Sequence, residues 1–246
     1  MISLKAVILA GGRGTRLKPY THVLPKPLMP VGTFPVLEII LRQFAMNGFR
    51  DVILSTGYLS EIIKSFCGTG ERFGVKILYS REDKLLGTAG PLGSLKDELK
   101  QTFLVTNGDI LTAINFSDFI KQHKEQGALL TMGLKKRRYN IQFGVVKLDN
   151  NQNVLDYIEK PTQEHMVSIG MYLMEPAILD YIKPKTYLDL PDLIKQLINH
   201  GEKVQGFVVD NLWLHLSRAD DFENANANLG NILSELKLDG VLNNLQ

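Results

Sequence analysis

Cysteine is almost missing from this 246-residue sequence. Cys67 stands alone, which excludes an internal disulfide framework and any metal site built from several thiolates. A single thiol is compatible with a reducing compartment. No apolar run approaches the ~20 residues that a membrane-spanning helix needs, and the N-terminus enters a strand-like run with no signal-peptide cleavage pattern. A cytoplasmic location without a membrane partner is therefore expected. Charge excess is lacking as well: the formal net charge is +2, so nothing global favours nucleic acid or an anionic surface, and no nucleic-acid partner is expected. Low-complexity linkers and internal repeats are also absent.

What remains is an ordinary globular composition, 44% hydrophobic and 22% charged, long enough for one large α/β domain or two small ones. Apolar, β-rich runs alternate with helical spacing through the first half, the pattern of a mostly parallel, helix-covered sheet. Strands are expected at 6–9, 51–56, 75–79 and 102–106, and helices at 35–47 and 59–66. A third helix should run from an Asn115 cap to Gln126, stopped by Gly127. Strand-like segments then come at 128–134, 144–148, 154–159 and 167–174, with an Asn-rich turn at 150–153. Helical spacing returns at 190–199 and from Ala219 to about Leu236. The expected fold is α/β, with a doubly wound N-terminal half.

Directly after the first apolar run comes Leu9-Ala10-Gly11-Gly12-Arg13-Gly14-Thr15-Arg16, and soon after it Pro25-Lys26-Pro27-Leu28. Glycine lets a loop turn tightly and lets phosphate oxygens reach backbone N–H groups. Arg16 can pair with a phosphate through two hydrogen bonds, and Lys26 adds a mobile charge. Two familiar phosphate motifs do not fit. A nucleotide-hydrolysing P-loop needs Gly-Lys-Ser/Thr, and a dinucleotide fingerprint needs glycine where Leu17 stands.

The whole stretch, Gly11 to Leu17 with Pro19, Pro25 to Leu28 and Pro30-Val31, resembles the signature of the sugar-1-phosphate nucleotidyltransferases, and the likeness extends to about residue 222. It implies a single GT-A-like domain with a Rossmann-like mixed sheet over 1–246. About 1–112 would be the nucleotide-binding half, and about 113–246 the sugar-phosphate half with a C-terminal helix. No added β-helix or acetyltransferase domain is expected. The partners implied are an NTP and a sugar 1-phosphate, and some relatives form homo-oligomers. The implied reaction is attack by a sugar-phosphate oxygen on the α-phosphorus, with pyrophosphate leaving. The attacking phosphate is already ionised, so catalysis rests on alignment and charge neutralisation. Arg16 would then face the pyrophosphate and Lys26 the reacting phosphates, and losing either charge should slow chemistry more than it harms folding.

Leu86-Gly87-Thr88-Ala89-Gly90-Pro91-Leu92 resembles the family's second glycine motif and most closely the wording of mannose-1-phosphate guanylyltransferases. It implies Gly87 and Thr88 against the nucleobase, and Thr88 is a possible cap for a helix after its own segment. Glu82 could accept from guanine N1–H and N2–H₂ together, a donor pair that uracil and thymine lack. GTP with a mannose- or heptose-type 1-phosphate is the expectation, and UTP, dTTP or CTP with a glucose-type sugar the alternative. The resemblance further gives Glu159 the sugar hydroxyls, Lys160 the sugar phosphate and Gly144 a backbone contact. Ser168 and Gly170 match a sugar motif whose usual asparagine is here Ser168.

Asp109, after a strand end, matches the family's Mg²⁺-binding aspartate. The second ligand departs from the pattern: Trp213-Leu214-His215-Leu216-Ser217 stands where relatives carry Trp-x-Asp-x-Gly. His215 replaces an aspartate, and imidazole suits Mn²⁺ or another softer ion better than Mg²⁺. A catalytically impaired homologue that only binds nucleotide or nucleotide sugar is therefore the competing reading.

Overall fold

The computed structural model describes residues 4–242. In the first half lie β1 (Lys5–Ala10), β2 (Pro30–Val31), β3 (Phe34–Pro35), α1 (Val36–Met46), β4 (Asp51–Thr56), α2 (Ser60–Cys67), β5 (Lys76–Arg81), β6 (Phe103–Asn107) and β7 (Ile110–Thr112). Next come α3 (Phe116–Gln126), β8 (Leu130–Asn140), β9 (Val145–Leu148), β10 (Val154–Ile158), β11 (Thr162–Met174) and α4 (Leu190–Asn199). The chain then forms β12 (Val204–Val208), β13 (Trp213–His215), α5 (Ala219–Ala227), α6 (Leu229–Glu235) and α7 (Asp239–Leu242).

Seven strands make one sheet in the order β12-β8-β11-β6-β1-β4-β5. Only β11 runs against its neighbours, pairing antiparallel with both β6 and β8, while the other pairings are parallel. The sheet is thus mixed, as expected, and it crosses both halves of the chain. Both of its faces are covered. Ala6, Ile8, Val52, Leu54 and Leu104 pack into one apolar cluster, while the alternate residues Val7, Ile53, Phe103 and Val105 pack into the other. Near-continuous apolar strands are what two-sided burial requires. On the first face Phe44, Phe49 and Phe116 meet with ring centroids 5.2–5.8 Å apart, which ties α1 and α3 together.

The caps agree with the sequence reading at α3. Asn115 Oδ1 accepts from the N–H groups of Ser117 and Asp118, and Gly127 ends the helix in the left-handed region. Two expectations are corrected. The C-terminal stretch is not one helix from Ala219 to Leu236: it breaks at Asn228, where asparagine side chains compete for helical carbonyls. Asn226 Nδ2 donates to Phe222 O and Asn228 Nδ2 to Asn224 O, while Asn226 Oδ1 accepts from Gly32 N–H. Nor does Thr88 cap a helix after its own segment, because only a five-residue 3₁₀ turn (Gly90–Ser94) comes next, without a side-chain cap. Instead its Oγ1 accepts from Leu190 N–H (2.7 Å), at the start of the distant α4.

The strands β8 and β11 run well past their expected ends, to Asn140 and back from Thr162. Their outer halves are polar and exposed, so hydrophobic spacing gave no sign of them. Between them the β9–β10 hairpin forms a separate two-stranded sheet. No helix among the described residues is long and apolar enough to cross a membrane.

Candidate functional site

The parallel register of β1 and β6 sets Leu9 opposite Asn107. The loops that leave these two strands therefore emerge at the same place, between neighbours where the chain's winding reverses direction, which is where open α/β sheets bind ligands. Beyond β1 the loop turns at Gly14, whose φ of +59° is left-handed. Its carbonyl accepts from Leu17 N–H and Thr21 Oγ1, both at 2.9 Å. A Cβ there would press within 2.9 Å of Thr21, so glycine is required for space as well as conformation. Beyond β6, Gly108 N–H donates to Leu9 O (3.0 Å), and a Cβ on Gly108 would come within 3.1 Å of Pro27. This close approach seats the Lys26–Leu28 turn, anchored by buried Leu28, against the strand ends.

The result is a cavity of about 510 Å³. Leu9, Ala10, Gly11, Gly12, Gly14, Thr15, Arg16, Lys26, Glu82, Gly87, Thr88, Asp109 and His215, all singled out in the sequence, line it together. Gly12 is open to the space around it, and Arg16 has no hydrogen-bond or ionic partner among the described residues. A free guanidinium beside exposed glycine backbone is suited to an anion.

Asp109 is the electrostatic centre. Its Oδ2 pairs with Lys26 Nζ and lies 3.4 Å from His215 Nε2. Antiparallel pairing of β13 with β7 brings His215 there, opposite Ile110, and Leu216 N–H donates to Asp109 O (2.9 Å). Burial pushes the Asp109 carboxyl upward, but the hydrogen bond from His215 and the Lys26 charge outweigh it and hold it below the usual range. Asp109 Oδ1 is the one buried side-chain polar atom among the described residues without a hydrogen-bond partner. An ionised, half-satisfied buried carboxylate is a fitting donor for a hard cation. No group of three or more His, Cys, Asp or Glu side chains that could hold a metal occurs among the described residues, so any remaining ligands would come from substrate phosphates and water, the usual arrangement for Mg²⁺.

Glu82 lies at the cavity wall with its pKa raised by burial, against which the hydrogen bonds from Leu86 N–H and Ser55 Oγ act. These occupy Oε2 (3.0 Å) and Oε1 (3.3 Å) respectively, leaving each oxygen a further lone-pair direction.

The sugar-side residues are arranged differently. Gly144, half-buried, just precedes the β9–β10 hairpin, and Glu159 and Lys160 lie exposed at its exit; all three are outside the cavity lining. Glu159 accepts from Tyr157 OH (2.7 Å) and sits 3.8 Å from Lys160 Nζ, while Tyr157 covers the space where a Gly144 Cβ would project. Ser168 Oγ is 3.1 Å from Tyr172 OH. Gly170, at φ +75°, abuts the site: a Cβ there would fall 2.9 Å from Asn107 Nδ2 and 2.4 Å from Ile110. Pro27, Leu85, Asn107, Gly108, Tyr187 and Ser217 also line the cavity and were not among the expected site residues. Ser217 is fixed by Asp221, whose Oδ2 accepts from Ser217 N–H (2.8 Å) and Arg218 N–H (2.7 Å).

A family profile described as nucleotidyl transferase matches residues 5–231, and the chain belongs to that family. It is 34% identical to a UTP–glucose-1-phosphate uridylyltransferase of Synechocystis, with 89% of this chain and 61% of that protein covered. It is 31% identical to a mannose-1-phosphate guanyltransferase of Schizosaccharomyces pombe, covering 89% and 62%. The chain thus spans about three-fifths of the length of these relatives. HddC of Yersinia pseudotuberculosis shares the fold, with a TM-score of 0.73 at 22% identity over 92% of this chain and 99% of that one.

Proposed function

We propose that this chain transfers a nucleotidyl group from an NTP to a sugar 1-phosphate, releasing pyrophosphate, with GTP as donor and a mannose- or heptose-type sugar as acceptor. The observation that carries the reading is the convergence of the glycine loop, Arg16, Lys26 and the ionised Asp109 on one cavity that also contains Glu82 and the Gly87–Thr88 turn. A sugar-phosphate oxygen forms the new bond to the α-phosphorus as the bond to the β-phosphate bridge breaks. Loop amides and Arg16 receive the departing pyrophosphate, and Lys26 neutralises charge at the reacting centre. Glu82 supports guanine because a carboxylate matches its paired donors. Glu159 and Lys160, carried on the hairpin, would hold the sugar phosphate.

Asp109, joined by His215, would hold Mg²⁺ or Mn²⁺, and an ion bound there supplies positive charge to the triphosphate. The histidine also favours a second reading, a nucleotide-binding protein without useful turnover, because imidazole is a weaker ligand for Mg²⁺ than carboxylate. One experiment separates these: pyrophosphate release from four NTPs with mannose, glucose, heptose and N-acetylated sugar 1-phosphates, in Mg²⁺ and in Mn²⁺. The native protein and His215→Asp are compared. Robust native turnover, greatest with GTP, is expected. Turnover led by UTP would overturn the base assignment alone. Turnover only in His215→Asp would establish the binding-only reading.

A further inference from the structure

Two loops about a hundred residues apart build the Glu82–Thr88 wall of the cavity. They are laced together by backbone: Leu188 N–H donates to Leu86 O (2.9 Å), and Leu188 O accepts from Ala89 N–H (2.8 Å) and Gly90 N–H (3.0 Å). The approach leaves no room for side chains at the glycines, since a Cβ on Gly87 would lie 2.5 Å from Leu188 O and one on Gly90 2.5 Å from Thr186 O. Asp189 completes the lacing, its Oδ1 accepting from Thr88 N–H (3.0 Å) and Thr88 Oγ1 (3.1 Å). The other oxygen of the same carboxylate, Oδ2, accepts from Tyr187 OH (2.6 Å). Tyr187 therefore hangs from the joint by its hydroxyl, and its ring is held relative to the Gly87–Thr88 turn.

Leu85 and Tyr187 flank the Leu86–Leu188 bridge, and both line the cavity. They are 51% and 62% exposed, large apolar surfaces left uncovered at a site otherwise dominated by glycine backbone and charge. A triphosphate and a sugar phosphate have little use for such a surface. The nucleobase is the one part of these substrates with a flat, apolar face.

We propose that Tyr187 is a specificity-determining residue that stacks on the nucleobase, with Leu85 as a further apolar contact and Asp189 as the residue that positions the ring. This rests on the nucleotide-binding reading of the same cavity. A purine offers the ring more area than a pyrimidine, so Tyr187 favours purine nucleotides. Because its hydroxyl donates to Asp189, the ring contributes its face to recognition and leaves hydrogen-bond discrimination to other groups.

The test is calorimetric binding of GTP, ATP, UTP and CTP to native protein, Tyr187→Phe, Tyr187→Ala and Asp189→Asn, with melting curves as folding controls and KM measured for the sugar 1-phosphate. Tyr187→Ala is expected to weaken GTP binding about tenfold or more, the scale of one lost aromatic–base stack, to weaken UTP binding less, and to leave the sugar-phosphate KM unchanged. Tyr187→Phe keeps the face and should retain most of the affinity. Asp189→Asn should fall between them. Native binding of NTPs with no change in Tyr187→Ala would overturn the inference while leaving the proposed function standing, as would a defect confined to the sugar phosphate. Failure of the native protein to bind any NTP would remove the proposed function itself, and the inference with it.

Discussion

Removing Lys26 would leave the Asp109 carboxylate buried beside His215, with one oxygen already unpartnered. Both members of the pair are only 13% exposed, so the loss is not softened by water. Breaking one side of such a pair costs about 3–5 kcal/mol, because the stranded charge must be neutralised or solvated. Lys26→Met should therefore lower stability by that order as well as slow turnover at least ~100-fold, the scale of losing one preorganised stabilising group. The double variant Lys26→Met with Asp109→Asn should regain most of the stability and none of the activity. Denaturant melts beside pyrophosphate-release rates distinguish the two effects. The sequence alone led to an expectation weighted toward chemistry, because pairing across 83 positions is invisible in a motif. The motif residues themselves were legible, since Gly11 to Arg16 and Asp109 each come after a strand whose apolar run is plain. Tyr187 was not: its reason for being there is a contact with Asp189 and, through it, Thr88.

At the scale of elements, α3 is held to the sheet by a polar contact as well as by its phenylalanines. His123, buried on its inner face, places Nδ1 2.7 Å from Thr131 Oγ1 on β8 and Nε2 3.1 Å from Glu175 Oε1 just beyond β11. Burial lowers the histidine pKa below its ordinary 6.5, and Glu175 opposes that shift without reversing it. The unfolded chain then takes up a proton first as pH falls. The stability associated with the neutral ring is complete above pH ~6.5 and declines below it as pH drops toward the folded-state value. Melting temperature should fall between pH 7 and pH 5 in the native protein, and His123→Gln should show a smaller fall over the same interval. An equal fall in both would mean that other groups govern the acid limb. Elements with strong spacing, such as α1, α4 and the parallel strands β1, β4, β5 and β6, were readable to within a residue or two, whereas the short, half-exposed β12 was not read as a strand. The pairing of β7 with β13 was not readable either, because three-residue strands have no periodicity to read, and the break between α5 and α6 came from asparagine side chains rather than from Gly or Pro.

Across the whole molecule, order is unevenly supported. The central strands β1, β4 and β6 are buried on both faces, whereas every residue of β9 and β10 is exposed. A two-stranded ribbon without a packed face is marginal in water. Amide exchange measured by mass spectrometry should therefore be much faster over 145–158 than over β1 and β6. Addition of a sugar 1-phosphate should slow it if Glu159 and Lys160 engage that substrate; unchanged protection would count against their assigned role. Comparable protection of ribbon and core in the free protein would contradict the weak hold on the hairpin.

The meeting of Leu9, Asp109 and His215 at one cavity has a consequence for the order of events during synthesis and folding. The chain must return to the end of β1 once through β6 and again through β13 before the site exists. A nascent chain that has not yet emitted residue 215 carries the glycine loop but lacks the enclosure. On the proposed function, a nucleotide has no complete cavity to grip until β13 has paired, and any stabilising effect it has should be exerted by retarding unfolding of the finished protein rather than by hastening its formation.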